Sequence, residues 1–311
     1  MKLKKILVTG GAGFVGLHMV DALLARGVKV RVLDNFMCSR RETLAPYLKR
    51  IELIEGDIRN PKDVQKAVHG ADAVFHLAAI RSVVKTVEDP IVAHEVNATG
   101  TLLLLHAAKQ AGVQHFIFTS TSSVYGEAIG RRQREESFLK PISPYGIAKL
   151  AAEGYALYFF REKKFPTTSV RIFNVYGPRQ NPESKYSLLV PGVLSKISKG
   201  ERPLIDGTGE QSRDFIHIED VLNALFRILG NPKSYGQVYN LGSGQSTPVK
   251  RIVQTLLRLT GSKLKPIHGL RRPSDPERTC ADISKVNKEL GWKPRVSLEA
   301  GLKKTVERVT S

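Results

Sequence analysis

A tyrosine and a lysine four residues apart are the first candidates for chemistry in the sequence. They lie in SPYGIAK, residues 143–149, where Ser143 followed by Pro144 is typical of a helix start, with serine as N-cap and proline in the first turn. In a helix that begins there, Tyr145 and Lys149 lie one turn apart on the same face. We interpret the pair as a tyrosine that accepts a proton beside a lysine that assists it.

A free phenol has a pKa of about 10 and is a poor base near neutral pH, so the surroundings of Tyr145 have to lower that pKa. Three features are expected to do so: the charge of Lys149, the positive end of the helix dipole, and the hydroxyls of Ser120–Ser123 at the end of the preceding strand. The alternative interpretation is an ordinary helix surface, on which Lys149 pairs with Glu153 one turn later.

A glycine-rich segment, TGGAGFVG at residues 9–16, indicates a second kind of chemistry. Gly11, Gly13 and Gly16 fit G-x-G-x-x-G, in which one glycine allows a tight turn, one lets the backbone approach a pyrophosphate and one allows close helix packing. The N-terminus of the following helix offers N–H groups to phosphates. Asp34, which ends the second strand, can accept from both ribose hydroxyls and would repel a 2′-phosphate. The segment therefore predicts NAD rather than NADP as the cofactor.

Residues that end the next strands suit the same cofactor. Asp57 can meet an adenine amino group, and the small side chains that follow His76 leave room for a ribose. His76 itself is interpreted as a hydrogen-bonded core histidine rather than a catalytic one. Asn97 is expected to hold a kink or an ordered water, with packing as the alternative. The predicted cofactor-binding residues are Gly10, Gly11, Gly13, Phe14, Val15, Gly16, Asp34, Asn35, Asp57, Ile58, Leu77, Ala78, Ala79, Asn97, Tyr145 and Lys149.

The elements that position these residues follow an alternating pattern. Five apolar runs, residues 5–9, 28–34, 51–57, 71–79 and 113–120, indicate buried strands and are separated by helical stretches. Such a pattern is typical of a parallel sheet covered by helices on both faces. We therefore predict an α/β fold with a doubly wound parallel sheet (Rossmann) and a smaller C-terminal mixed α/β substrate domain. The predicted domains are 1–175, with a return segment near 214–242, and 176–311.

Composition limits the class of protein further. The 311 residues carry a net charge of +19, but the basic residues are scattered and form no basic tail, so nucleic acid is not a predicted partner. The two cysteines, Cys38 and Cys280, lie far apart, so neither a disulfide nor a metal site is expected. Glycines and polar residues interrupt the apolar run near the N-terminus, and no stretch reaches membrane-spanning length. We therefore expect a cytoplasmic protein without a membrane partner.

Across nearly its whole length the chain resembles the extended short-chain dehydrogenase/reductase family, in particular its nucleotide-sugar epimerases and dehydratases. The resemblance implies that Tyr145 is the base, that Lys149 is its partner and that Thr121 hydrogen-bonds the substrate's 4-hydroxyl. It also implies a nucleotide-diphosphate sugar (UDP-hexose) as substrate and a homodimer formed by helices at 88–110 and 145–163. The predicted substrate-binding residues are Arg81, Ser122, Ser123, Asn174, Arg213, Arg272 and Asp275. The motifs that carry the resemblance are TGGAGFVG, LDNF, EGDIRN, FHLAA, STSSVYG, SPYGIAK, RIFNVYGPRQNP, GTGEQSRDFIHIEDV, NLGSG and RRPSDPERTCADISKVNKELGW.

The residues after Thr121 narrow the reaction. In the resembled family, 4,6-dehydratases carry Asp-Glu at this point and decarboxylases keep a glutamate before Val-Tyr-Gly, whereas this chain has Ser122 and Ser123. Since serine cannot act as that acid, the resemblance favours a UDP-glucose or UDP-N-acetylglucosamine 4-epimerase. At Thr279 such epimerases can carry a bulky tyrosine that excludes N-acetyl groups, so threonine leaves room for one. The alternatives are a nucleotide-sugar 4-ketoreductase that releases its nicotinamide cofactor and a non-catalytic NAD-binding sensor.

Overall fold

Strands and helices alternate through the first half of the chain, as the sequence predicts. The computed structural model describes residues 3–127, 130, 132–180, 189–271 and 276–310. The five predicted strands are present, with bounds that shift by a few residues. The strands are β1 (Lys5–Thr9), β2 (Lys29–Asp34), β3 (Ile51–Glu55), β4 (Ala73–His76), β5 (His115–Thr121), β6 (Thr167–Ile172), β7 (Asn174–Tyr176), β8 (Leu204–Asp206), β9 (Ser212–His217), β10 (Val238–Leu241), β11 (Ser246–Pro248) and β12 (Ile267–Gly269).

Several helices begin where the sequence supplies a cap. Ser143 accepts a hydrogen bond from the Gly146 N–H at 3.2 Å, and the next residue is a proline at the first helical position. Asn60 caps a second helix in the same way, with a proline following it. The helices are α1 (Phe14–Leu24), α2 (Pro61–Val68), α3 (Val83–Glu88), α4 (Pro90–His94), α5 (Gly100–Gln110), α6 (Pro144–Lys163), α7 (Leu189–Ser198), α8 (Ile218–Ile228), α9 (Val249–Leu259), α10 (Ser284–Leu290) and α11 (Leu298–Thr310).

The central sheet has seven strands in the order β10-β6-β5-β4-β1-β2-β3. β1 pairs in parallel with both β2 and β4, so the strand order reverses direction at β1. The residues of β1 and β4 are almost entirely buried, because helices cover both faces of the sheet. The predicted doubly wound parallel sheet is therefore confirmed. Ligands of such sheets bind at the carboxyl ends of the strands where the order reverses, which here means the ends of β1 and β4.

Contacts along the chain divide it into two compact units. The first consists of Met1–Val124, Pro141–Arg171 and Leu222–Tyr239, and the second of Tyr125–Lys140, Ile172–Val221 and Asn240–Ser311. The core of the first unit includes Leu7, Val74, Phe116, Phe118 and Ala152.

The second unit has its own core and smaller sheets. Tyr176, Phe215, Ile252 and Leu302 belong to that core. Its three-stranded sheet, β11-β9-β7, is mixed, because β7 runs parallel to β9 and β11 runs antiparallel to it. β8 and β12 form a separate parallel pair. Among the residues described in either unit, no helix is both long enough and apolar enough to cross a membrane.

Candidate active site

The glycine-rich turn joins β1 to α1, and its glycines differ in what they allow. Gly10 has φ +69°, and a Cβ there would lie 2.7 Å from the backbone nitrogen of Ala78. A Cβ on Gly16 would overlap the carbonyl oxygen of Gly10, so this glycine permits the close approach of α1. A Cβ on Gly13 would meet only that same oxygen among the described atoms, at 3.2 Å. The side of the turn next to Gly13 is therefore open to a ligand.

The tight turn belongs to Gly10 rather than to Gly11. Gly11 packs instead against Val32, where a Cβ would lie 2.6 Å from a methyl carbon. The three glycines that shape the turn are therefore Gly10, Gly13 and Gly16. Their spacing is G-x-x-G-x-x-G, whereas the first glycine inferred from the sequence is Gly11. The sequence alone offered two adjacent glycines, and only the positive φ separates them.

Helix α1 begins directly after this turn. Its N-cap is Gly13, in an extended conformation, so no side chain of that residue covers the N–H groups of Phe14, Val15 and Gly16. The first intrahelical hydrogen bond runs from the Leu17 N–H to the Gly13 carbonyl, at 2.8 Å. The free N–H groups and the positive dipole end suit a pyrophosphate, as predicted.

Asp34 ends β2 beside the glycine turn and is buried. One carboxylate oxygen accepts from the Ala12 N–H at 2.9 Å, and the other accepts from the Phe36 N–H and the Ser39 hydroxyl at 2.9 and 3.0 Å. The carboxylate therefore also holds the turn and the loop after β2 together. This structural part was not evident from the sequence.

Asn35 and Asp57 lie next to each other at the ends of β2 and β3. The Asn35 amide donates to an Asp57 oxygen at 2.8 Å, and the Arg59 guanidinium binds both oxygens of the same carboxylate. Burial would raise the pKa of Asp57, but the hydrogen bonds from Arg59 and Asn35 outweigh it and hold that pKa below its ordinary value. Asp57 therefore stays ionised, with an arginine partner that sequence reasoning missed.

The segment after β4 carries further predicted cofactor residues. Leu77, Ala78 and Ala79 are half-buried, and the Ala78 N–H lies 3.3 Å from the Thr9 hydroxyl. Ile58, after β3, is instead buried in the core, against Gly100. Leu77 and Ala78 therefore border the turn at Gly10, whereas the Ile58 side chain packs inside the protein.

Asn97 lies in a single π-helical turn, Glu95–Thr99, between α4 and α5. Its amide accepts from the Ile80 N–H and donates to the Ile80 carbonyl, both at 2.9 Å, and the side chain is fully buried. The amide therefore binds the backbone of Ile80, beside the π-helical turn. Asn97 thus fixes the residue that precedes Arg81.

His76 ends β4 and is fully buried between two threonines. Its Nδ1 lies 2.7 Å from the Thr9 hydroxyl and its Nε2 lies 2.8 Å from the Thr101 hydroxyl. Burial, assisted by the charge of Lys149, holds the pKa of His76 well below its ordinary value, so the ring is neutral. It is a hydrogen-bonded core histidine, in agreement with the sequence interpretation.

Tyr145 and Thr121 meet where α6 begins and β5 ends. The Thr121 hydroxyl lies close enough to the Tyr145 phenol to act on its pKa, and it donates to the Ser123 hydroxyl at 3.2 Å and accepts from the Ser123 N–H at 3.1 Å. The approach depends on Gly146, since a Cβ there would lie 2.7 Å from the Ser123 carbonyl oxygen. Ser122 and Ser123 form a short 3₁₀ turn beside this contact, in Ser122–Tyr125. Of the hydroxyls predicted to act on Tyr145, only that of Thr121 does so among the described residues, and the Ser120 hydroxyl is buried without a hydrogen-bond partner there.

The pKa of Tyr145 shifts in the opposite direction from the sequence prediction. Burial raises it, while the Thr121 hydrogen bond and the charge of Arg81 act to lower it. The prediction of a lowered pKa is therefore wrong for this structure, because desolvation outweighs those two contributions. Arg81 is exposed and follows β4, and its charge was not part of the sequence argument.

Lys149 lies on the buried face of α6, and its Nζ is 4.1 Å from the centroid of the Phe118 ring. Burial lowers the pKa of Lys149 to about 7, and the negative charge of Glu153 acts against that shift. The surface pair between Lys149 and Glu153, our alternative from the sequence, is not what forms. Glu153 is buried and binds Arg171 of β6, with 2.5 Å between Oε1 and Nη2.

Asn174 and Arg213 lie in the second unit, on the neighbouring strands β7 and β9. Asn174 pairs with Phe215, which is two residues from Arg213, so both side chains project from the same face of that sheet. The Arg213 guanidinium donates to the carbonyls of Ser212 and Glu277, at 2.8 and 3.4 Å. Arg272 and Asp275 fall outside the described residues.

Asp214, next to Arg213, organises the loops around it and was missed in the sequence. Its buried carboxylate accepts four hydrogen bonds, two from Ser243, one from the Gly244 N–H and one from the Ala281 N–H, at 2.6–2.9 Å. Burial raises its pKa, and the four donors work against that shift. The only available signal was an acidic residue inside the apolar run RDFIHI.

Comparison with known proteins identifies the family. Residues 6–242 match the family described as NAD dependent epimerase/dehydratase. The chain belongs to that family. NAD is the cofactor of the family, and the open side of Gly13, the free N–H groups of α1 and the carboxylate of Asp34 fit it.

Solved structures of the family cover the whole chain. UDP-glucose 4-epimerase from Thermotoga maritima, with UDP-glucose, is 37% identical over 98% of both chains, with a TM-score of 0.93. UDP-N-acetylglucosamine 4-epimerase from Methanobrevibacter ruminantium is 34% identical over 100% of this chain and 99% of the other, with a TM-score of 0.93. The dTDP-glucose 4,6-dehydratase DesIV from Streptomyces venezuelae, with NAD bound, is 31% identical over 98% and 97%, with a TM-score of 0.91. The family thus includes both epimerases and dehydratases of this fold.

Proposed function

We propose that the chain is an NAD-dependent UDP-hexose 4-epimerase that acts through transient oxidation at C4 of the sugar. The observation that carries the proposal is the close approach of the start of α6, which holds Tyr145, to the end of β5, where Thr121 is followed by the hydroxyls of Ser122 and Ser123 rather than by carboxylates. Such a site can move one proton on one sugar oxygen, which is the proton chemistry that inversion at C4 requires.

Each residue of the cluster has one part in the proposed reaction. Tyr145 takes the proton of the 4-hydroxyl and later returns it to the 4-keto sugar, while Thr121 hydrogen-bonds the same oxygen. Bound NAD supplies the two-electron acceptor and donor for C4. Thr121 and the charge of Arg81 favour the phenolate form of Tyr145, and Lys149 lies one helical turn away. Lys149 also binds the ribose of the cofactor.

The two serines separate this proposal from the dehydratase reaction of DesIV. Elimination of water across C5 and C6 needs an acid and a base beyond C4. A serine hydroxyl is not an acid at neutral pH, and Ser122 and Ser123 occupy the positions next to Thr121. The same argument disfavours decarboxylation.

We propose that the second unit binds the nucleotide diphosphate. Arg213 is a permanently charged planar fork, which suits phosphate oxygens, and Asn174 lies on the same face of its sheet. Arg272 would be the second arginine on the diphosphate, with Asp275 on the ribose. A firm hold on the nucleotide leaves the 4-keto sugar free to turn and present its other face.

Both plain and N-acetylated hexoses are proposed substrates. Thr279 is small and buried, and its hydroxyl accepts from the Asp214 N–H at 3.3 Å. A threonine in this place does not fill a sugar pocket as a tyrosine would. One structural neighbour is named a UDP-N-acetylglucosamine 4-epimerase, which agrees with this assignment.

We also propose a homodimer that forms through α3, α4 and α6. Large apolar side chains are exposed on these helices: Val87, Ile91, Ile147, Tyr155 and Tyr158. The three helices contact one another, and we expect a second copy of the chain to cover these exposed side chains, since monomers rarely expose large apolar patches.

The direct test is to incubate the purified protein with UDP-glucose, and separately with UDP-N-acetylglucosamine, and to follow the sugar by NMR. Conversion to the C4 epimer without net formation of NADH supports the proposal. A ketoreductase would consume or release reduced cofactor in proportion to product, and a dehydratase would give a 4-keto-6-deoxy sugar. Failure to form an epimer from any UDP-, dTDP- or GDP-hexose would overturn it.

A further inference from the structure

Glu153 lies one helical turn after Lys149 on the buried face of α6. Only 5% of Glu153 and 2% of Lys149 is exposed, so both charges lie inside the protein. Acidic and basic side chains are rarely buried to this degree unless they are paired. Each of the two therefore requires a compensating partner.

The carboxylate of Glu153 is held by an arginine from the sheet. Arg171, on β6, donates from Nη2 to Oε1 at 2.5 Å and from Nε to Oε2 at 3.1 Å, and it is also buried. A two-point contact of this kind fixes the plane of the carboxylate as well as its distance. Glu153 is thus prevented from turning toward solvent.

The surroundings of Lys149 supply little other compensation for its charge. From β5 it meets the face of Phe118, and from β4 it meets His76, which is neutral. On its own helix it has Tyr145 one turn before and Glu153 one turn after, and the charge of Glu153 raises the pKa of Lys149 against the effect of burial. Arg171, from β6, acts on this group through Glu153.

The charges of Lys149, Glu153 and Arg171 explain why the contact between Glu153 and Arg171 does more than hold α6 against β6. The ionised Glu153 binds the guanidinium of Arg171, and its charge also raises the pKa of Lys149. Without that anion, Lys149 would lose the charge that opposes the effect of burial, while arginine does not release its proton. Lys149 would then be the group that becomes neutral.

We propose that Glu153, clamped by Arg171, is a positioning residue that keeps the buried side chain of Lys149 charged for its work beside Tyr145. The inference rests on the proposed function only for the use of that charge, since the effect of Glu153 on Lys149 is a property of the protein alone. Glu153 does not touch the reacting atoms and acts through Lys149.

The test measures the titration of Lys149 directly, in protein labelled with ¹³C at the lysine ε-carbon. The Lys149 signal is assigned by its loss in Lys149→Arg. In Glu153→Gln, which keeps the size of the side chain, the pKa of Lys149 should fall by about one unit or more below the wild-type value. Glu153→Asp keeps the charge and should retain most of the wild-type value.

A second variant covers the case in which Glu153→Gln does not fold. In Glu153→Gln with Arg171→Met, no buried charge of the pair is left without a partner, and replacements of this kind are often tolerated. Lys149 should again titrate below wild type. An unchanged pKa of Lys149 in the variants that lack the Glu153 carboxylate would overturn the inference. Glu153 would then be a residue that only joins α6 to β6.

Turnover gives an independent readout. In Glu153→Gln, the loss of kcat as pH rises should begin at lower pH by the same interval that NMR gives for Lys149, with little change in KM for the UDP-hexose. If no UDP-hexose is turned over, the proposed function fails while the NMR result still decides the role of Glu153.

Discussion

The Nζ of Lys149 lies 4.1 Å from the centroid of the Phe118 ring, so the ammonium of a predicted catalytic residue rests on an aromatic face. Such a contact recovers part of the hydration that the cation loses on burial. The remainder of that cost shows in the pKa of Lys149, which burial lowers to about 7. The buried surroundings of Lys149 therefore favour its neutral form over the charged one.

Lys149→Met should stabilise the protein most at low pH. The folded pKa lies near 7 and the unfolded one near 10.5, so between these values the unfolded chain binds more protons and wild-type stability rises with pH. The gain from the substitution should thus shrink by up to about 1.4 kcal/mol per pH unit across this range. Urea unfolding at pH 7 and pH 9.5 measures the difference.

The matched control for this effect is Lys62→Met, on the exposed side of α2. It removes a lysine that stays in water, so the free energy of unfolding should change equally at both pH values. If Lys149→Met behaves in the same way, the buried charge of Lys149 is not what limits stability.

His115→Gln should reduce the sensitivity of the fold to acid. The Gly230 N–H donates to Nδ1 of His115 at 3.1 Å, and Nε2 lies 2.9 Å from the Thr168 hydroxyl, which in turn donates to the Ser234 carbonyl. These contacts require a neutral ring protonated at Nε2. Burial lowers the pKa of His115 to about 3, so the unfolded chain binds a proton first as pH falls below 6.5.

Wild-type stability should therefore fall by up to about 1.4 kcal/mol per pH unit from His115 alone between pH 6.5 and 3. The slope of unfolding free energy against pH, measured by urea titration, should be shallower in His115→Gln by that amount. His94→Gln serves as the control, because His94 is an exposed residue at the C-terminal end of α4. Parallel pH profiles for wild type and His115→Gln would contradict the assignment.

Gly13→Ala and Gly16→Ala should fail in different ways. A methyl group on Gly13 meets only the Gly10 oxygen, so the protein should fold, but the methyl would occupy the open side of the turn and weaken NAD binding about tenfold or more. A methyl on Gly16 overlaps that oxygen and should lower Tm sharply. Calorimetric titration with NAD and thermal unfolding separate the two. Wild-type affinity in Gly13→Ala would place the pyrophosphate elsewhere.

Tyr145→Phe should lower kcat by about 10²–10⁴ while NAD still binds, because the substitution removes the proton acceptor and little volume. Thr121→Val should have a smaller effect in the same direction, since it removes one hydrogen bond. Tyr158→Phe, on the exposed face of the same helix, is the control and should leave kcat unchanged. Epimerisation of UDP-glucose followed by NMR gives the rates. Retention of turnover in Tyr145→Phe would refute the role of the phenol.

Ile91→Lys combined with Tyr155→Lys should convert a dimer to monomers. Both side chains are exposed on the apolar surface of α4 and α6, and two charges there would have to be desolvated on association. Light scattering during gel filtration reports the mass. Phe138→Lys, also an exposed apolar residue but in another segment, should leave the mass unchanged. A monomeric wild type would exclude the proposed dimer.

The fold could be predicted from the sequence because its signals are local and repeated. The runs that became β1 and β4 are almost entirely apolar and buried, as strands covered on both faces must be, whereas β3, at the edge of the sheet, carries Glu52 and Glu55 and buries only Ile54. The start of α6 followed from Ser143 and Pro144, and the contact between Tyr145 and Thr121 followed from placing one strand end beside one helix start.

What the sequence could not provide are interactions that depend on burial or on distant partners. The i,i+4 spacing pointed to a pair of Lys149 and Glu153, but Arg171 becomes the partner because β6 passes beside α6. The direction of the Tyr145 pKa depends on how deeply the phenol is enclosed, which no motif records. The hydrogen bonds between the Asn97 amide and the Ile80 backbone join residues 17 positions apart, and no sequence motif indicates such a contact.

The edge strand β10 has a consequence for how the protein is made. β10 lies next to β6 in the central sheet, yet it is synthesised after Ile172–Val221, which belong to the second unit. Until the chain has been extended past Tyr239, β6 presents an unpaired edge, of the kind that recruits other strands and leads to aggregation. The second unit in turn needs segments from Tyr125 to the last helix. Both units therefore have all their segments only late in translation, so neither can fold fully well before the other.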